Sequence, residues 1–162
     1  MRDESNIGFS VVVSVILAGL LFQAANTIEL RLVMPRLLEL CVCYWVLSSP
    51  TRVGIIFAFV VGILISLIEG SLIGAASMGL SVVAYVLLRN IYTIRQLDWI
   101  SQTTVIFLLL GISVALQRVI LASVGVPSDG LGYLVAVVIS ALLWRPFNLL
   151  VDTARFRIGQ LL

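Results

Sequence analysis

The stretch from Arg52 to Tyr85, RVGIIFAFVVGILISLIEGSLIGAASMGLSVVAY, decides how the chain is read. Within it Gly54, Ala58, Gly62 and Ser66 recur at every fourth position, a spacing that lines up on one face of a helix. In lipid, apolar burial gives helices little reason to associate, so a face of small residues that lets two backbones approach closely becomes a principal means of packing. The stretch is too long for one crossing, which needs roughly 20 residues, and suffices for two short ones. Glu69, the only charge between Arg52 and Arg89, marks the break, and the Gly70 behind it turns the chain cheaply. The reading is a tight helix–turn–helix. Gly70 and Gly74 form a second four-residue pair across that turn, with Gly70 better explained as turn than as interface, and Gly74, Ser77, Ser81 and Ala84 continue a small face on the second helix.

Composition agrees with a membrane setting. The chain is 61% hydrophobic and 11% charged, against about 25% charged in an ordinary soluble domain. No segment is suited to fold as a soluble domain by itself. The basic residues are all arginine and are scattered at segment ends, which gives no nucleic-acid footprint. Histidine is absent, and with it the commonest general base and metal ligand. Membrane serine proteases of the Ser–His kind and histidine-ligated metalloproteases are thereby excluded. Asp129-Gly130 is a turn and not the aspartate cluster that head-group transferases need, and no P-loop is present. The expectation is no enzyme, no cofactor and no metal. Cys41 and Cys43, two apart in an apolar run, point to different helix faces and read as buried free thiols.

Six spans follow, at about 8–25, 35–49, 53–68, 72–88, 103–122 and 131–151, in one transmembrane domain with a tail over 152–162. A cleaved leader is the rival reading of the first, but its start is not net basic and Gln23 or Phe22 would occupy the position three before the cut. The second span is short and carries Glu39, so neighbours should wrap it unless it sits near the interface. Tyr44 and Trp45 near its end, like Tyr92 and Trp99 later, read as interfacial aromatics. Pro146 should kink the last span, and the tail should lie on the membrane surface. With a cytoplasmic start, the inside segments hold Arg2, Arg52, Arg89, Arg95, Arg145, Arg155 and Arg157, and the outside ones only Arg31, Arg36 and Arg118. That asymmetry places both termini in the cytoplasm. Among the intramembrane polar residues, Glu39, Gln117 and Arg118 stand out, with Glu39 and Arg118 a possible ion pair inside the bundle.

Pro35, Tyr44-Trp45, Pro50-x-Arg52-Val53, Phe59-x-x-Gly62, Glu69-Gly70-Ser71-x-x-Gly74, Ala84-Tyr85 and Trp144-x-Pro146 before a basic tail together resemble the bacterial rod shape-determining family MreD over nearly the whole chain. Two positions depart from that family: Ser66 stands where it has an acid in a Gly-x-x-x-Asp pattern, and Arg36 where it often has Asp or Asn after the proline. The resemblance implies an all-α, six-helix protein of the bacterial inner membrane, similar to the substrate-binding subunits of energy-coupling-factor transporters. It implies a non-enzymatic scaffold of the cell-elongation machinery, with MreC as direct partner beside MreB, RodA and a class B penicillin-binding transpeptidase. A small-molecule-binding transporter subunit, with Gln23, Glu39, Gln117 and Arg118 around a cavity, is the alternative, and a lipid-binding protein a further one.

Overall fold

The computed structural model describes residues 12–16, 19–20, 36–51, 53–125 and 132–161, the last helix by its backbone alone at residues 132–133 and beyond residue 153. Gln23, Pro35, Arg52, Asp129 and much of the expected first span lie outside them. All regular structure among the described residues is helical: α1 (Leu37–Ser48), α2 (Ile55–Glu69), α3 (Ala75–Arg89), α4 (Ile91–Gln96), α5 (Trp99–Ser123) and α6 (Gly132–Leu161). Residues 12–16 and 19–20 upstream are helical as well.

The shortest of the apolar helices lies at the centre. α1 is apolar on every side, and a helix of that kind is stable only when surrounded. Each residue from Leu38 to Leu47 is buried, with α2, α3 and α6 packed around it. Ser14 in the upstream helical segment accepts a 2.7 Å hydrogen bond from the Trp45 indole. Tyr44 and Trp45 are therefore core and not interfacial anchors, being 5% and 0% exposed. Their rings meet edge to face at 5.4 Å. Position near the end of an apolar run suggested a membrane surface, but a 12-residue helix enclosed by longer ones has no surface to offer. Tyr92 and Trp99, by contrast, are exposed. Both cysteines are buried free thiols.

α2 and α3 form an antiparallel hairpin over Gly70–Gly74. The Ser71 N–H reaches the Ser66 carbonyl at 2.9 Å and the Gly70 N–H that of Leu67 at 3.3 Å, closing the helix with a left-handed residue in the manner of a Schellman cap. Gly70 has φ +63° and Gly74 φ +101°. A Cβ at either would meet no atom within 4 Å, so these glycines serve the backbone and not a helix interface. Gly70→Ala is expected to lower stability by about 1 kcal/mol, the cost of left-handed φ for an L residue. A melting curve of the purified protein would read it, and an unchanged midpoint would contradict it.

α5 starts at Trp99, earlier than the sequence suggested, because its first polar residues are satisfied within the helix. The Thr103 and Thr104 hydroxyls donate to the carbonyls of Trp99 and Ile100 at 2.8 and 3.0 Å. α6 continues through Pro146 and past Val151 to Leu161, so the tail prolongs the last helix. The stretch over 89–102, which falls between the expected fourth and fifth spans, holds α4, whose Ile91 and Ile94 are buried. Trp99–Ser123 and Leu134–Thr153 are long and apolar enough to cross a membrane, while α1, α2 and α3 are apolar but shorter.

Candidate functional site

Two structures converge on the face that α2 turns inward. The first is the row of small residues. Ala58 and Ser66 are wholly buried, Gly62 is buried between them, and Gly54 lies half-buried at the helix entry. A Cβ at Gly62 would lie 2.3 Å from the Ser77 Cα and 2.7 Å from its backbone N. The two backbones touch there. α3 repeats the device on its other side: a Cβ at Gly79 would lie 2.7 Å from both the carbonyl oxygen and Oγ of Ser113 on α5. Gly62 and Gly79 thus make α3 the middle of a three-helix layer. The second contact was not read from the sequence, although a Gly on one apolar helix and a Ser on another are the residue types such contacts use.

The second structure is a buried polar cluster. Arg36, at the N-cap of α1, forms an ion pair through Nη1 with the Glu39 carboxylate one turn later. The same nitrogen donates to Gln117 Oε1 of α5 at 3.2 Å. Gln117 Nε2 in turn donates to Glu69 Oε2, at the end of α2, at 3.3 Å. The Arg36 backbone N–H donates to Ser140 Oγ of α6 at 2.7 Å, and the Ser140 hydroxyl in turn donates to the Ala136 carbonyl at 2.7 Å. One arginine and its neighbours therefore join α1, α2, α5 and α6 at one end of the bundle. Glu39 is 2% exposed and Gln117 3%. A buried carboxylate needs a cation at contact distance, because the penalty for leaving it alone in a low-dielectric medium is severe.

Glu39 and Gln117, both singled out in the sequence, do meet in this cluster, through Arg36. The cation paired with Glu39 is Arg36, three residues away on the same helix, and not Arg118. Gln117 faces the cluster, and the next residue on a helix points about 100° away. Arg36 was missed because it counted only as a loop charge and a departure from the family pattern. Its spacing of three from Glu39 is the signal that could have found it. Ser66, where the resembled family has an acid, is wholly buried. The acids at this end are Glu39 and Glu69. The space between Arg36, Glu39 and Glu69 is about 10 Å³, room for about one water and for no metabolite.

The outward surface is of the opposite character. Ile56, Leu142 and Leu150 are 82%, 72% and 70% exposed, and Phe59, Val60, Leu67 and Val119 join them. A soluble monomer does not expose apolar side chains on this scale. Large apolar side chains cover the outside while small residues and a joined polar cluster sit at the helix contacts inside, as in an integral membrane protein. The model of the family described as rod shape-determining protein MreD matches residues 3–154, and the chain belongs to that family. It is 29% identical over 99 residues to "Rod shape-determining protein MreD" of Haemophilus influenzae (strain ATCC 51907 / DSM 11121 / KW20 / Rd). That match covers 60% of the chain and spans 61% of the relative's length. No solved structure matches the chain significantly.

Proposed function

We propose that the chain is a non-enzymatic scaffold of the bacterial cell-elongation machinery, which crosses the inner membrane six times with both termini in the cytoplasm. In this reading it binds MreC directly, works beside MreB, RodA and a class B penicillin-binding transpeptidase, and helps regulate peptidoglycan synthesis. Its fold is similar to that of the substrate-binding subunits of energy-coupling-factor transporters. Family membership supplies the pathway. The observation that supports a scaffold over a transporter subunit is how the intramembrane polar groups are used. Glu39, Gln117 and Glu69 are joined to Arg36 around about 10 Å³ of space, so at this end of the bundle they tie helices and leave no room for a metabolite among them.

Topology is tested by labelling single cysteines in right-side-out spheroplasts with a membrane-impermeant maleimide. Ser128→Cys should label without permeabilisation and Gln160→Cys only after it. Labelling of both in intact spheroplasts would contradict the six-span arrangement. Function is tested by depletion in the native host, where loss of the chain should turn rods into spheres. Cells that stay rod-shaped would overturn the assignment.

A further inference from the structure

At the end of the bundle opposite the Arg36 cluster, the last turn of α1, α4, the start of α5 and the later part of α6 line an open cleft of about 300 Å³. That volume lies at the lower end of the range for small-molecule sites. Gln102, Trp144, Asn148 and Asp152 also line a second, partly open cavity of about 150 Å³ beside it, with Trp99, Arg145 and Leu149 on its rim. Two kinds of observation mark this as a binding site and not a packing defect.

The first is unused hydrogen-bonding capacity. Trp144 is 2% exposed, yet its indole N–H has no partner, and neither has the buried Oδ1 of Asn148. Buried polar atoms are nearly always bonded, and those that are not need an explanation. Both residues line both cavities, with these two atoms covered by the wall itself, so that a ligand reaches them after a small side-chain shift. The second is separated charge. Arg95 donates through Nε to the Leu47 carbonyl at 2.8 Å and through Nη2 to that of Ser48 at 3.2 Å. Arg145 stacks on the exposed Trp99 ring, 5.6 Å from its centroid. Asp152 accepts a hydrogen bond from the Tyr44 hydroxyl. Among the described residues, neither arginine forms a salt bridge with a carboxylate, and Asp152 forms none with a cation. The walls thus carry cations and a carboxylate that do not neutralise one another.

We propose that this double cavity binds the headgroup of phosphatidylethanolamine. The phosphate lies toward Arg145, Arg95 and the Trp144 N–H; the ammonium lies toward Asp152 and Asn148 Oδ1. A zwitterion matches a wall of split charge, whereas phosphatidylglycerol, with the same phosphate, offers Asp152 only a neutral glycerol in place of an ammonium. The acyl chains leave past Leu149 and the exposed Trp99, an aromatic residue of the kind that sits at headgroup depth. The assignment rests on the membrane-spanning reading above, in which this end faces the cytoplasmic leaflet; it does not depend on MreC binding.

The test is native mass spectrometry of the full chain, stripped of lipid in detergent and offered equal amounts of phosphatidylethanolamine and phosphatidylglycerol. The wild type should retain the ethanolamine lipid in preference. Arg145→Gln, at an exposed position, and Trp144→Phe, which keeps the ring, should each weaken its retention about tenfold, the effect of losing one hydrogen bond to a charged group. Asp152→Asn still accepts the Tyr44 bond, so it should abolish the preference while leaving phosphatidylglycerol binding unchanged. Equal retention of the two lipids by the wild type, or a preference that survives Asp152→Asn, would overturn the proposal. Soluble phosphoethanolamine at the same concentration should not displace the lipid, and efficient displacement would assign the site to a soluble ligand instead. Melting curves of each variant separate lost binding from lost fold. Extraction of the wild type from membranes by alkaline carbonate would refute the membrane reading separately.

Discussion

Gly62→Leu is expected to abolish most of the folded protein. The Cβ alone would come within 2.3 Å of the Ser77 Cα, a backbone atom that no rotamer change can move. α2 and α3 must then separate along their length, and with them the contact between α3 and α5 through Gly79 and Ser113. Overpacking a close-packed interior typically costs about 1–3 kcal/mol, and a clash with main chain lies at or beyond the upper end of that range. Gly62→Ala should fall between, since it adds the clashing atom and nothing more. Gly111→Leu is the control, because a Cβ there, unlike one at Gly62, would meet nothing within 4 Å. Monodisperse yield and melting midpoint in detergent should fall sharply for Gly62→Leu and little for Gly111→Leu. If Gly62→Leu folded normally and lost only partner binding, the small-residue face would be a docking surface for another helix.

The second large effect belongs to the ion pair. Arg36→Leu leaves the Glu39 carboxylate buried without its cation, and breaking a buried pair by removing one partner costs about 3–5 kcal/mol. It also removes the donor to Gln117 Oε1, and so loosens the link that holds Glu69. Arg36→Leu combined with Glu39→Leu should recover much of that loss, because two apolar residues need no neutralisation and α1 is otherwise apolar throughout. Rescue by the double variant, read as the melting midpoint, marks the cluster as a structural tie. A double variant as stable as the wild type but inactive in maintaining rod shape would move the pair from structure to function.

How much of this was legible in the sequence differs from one feature to the next. Apolar runs bounded by Pro50, by Glu69-Gly70-Ser71 and by the polar stretch after Arg89 mark out helices without reference to anything else. The four-residue spacing through Gly62 and the turn at Gly70 can likewise be read locally, because each depends on residues within a few positions. Which helix meets which cannot. Apolar residues are spread around both α1 and α5, so no face of either announces its neighbour, and Tyr44-Trp45 was misplaced at the membrane surface for that reason. The polar cluster joins Arg36, Glu69 and Gln117 across long separations in the chain. Only the Arg36–Glu39 spacing is local, and it was overlooked because Arg36 was counted among loop charges. The double cavity near Trp144 was invisible for the same reason: its lining comes from the last turn of α1, from α4, from the start of α5 and from α6.

The most direct test of a scaffold role is a detergent pull-down of the tagged full chain from its native membranes, with mass spectrometry of both the proteins and the small molecules recovered. The expected result is a single-span MreC as a stoichiometric partner and no bound metabolite. Recovery of a stoichiometric metabolite, or of an ATPase pair in place of MreC, would contradict the scaffold and make the chain a transporter subunit.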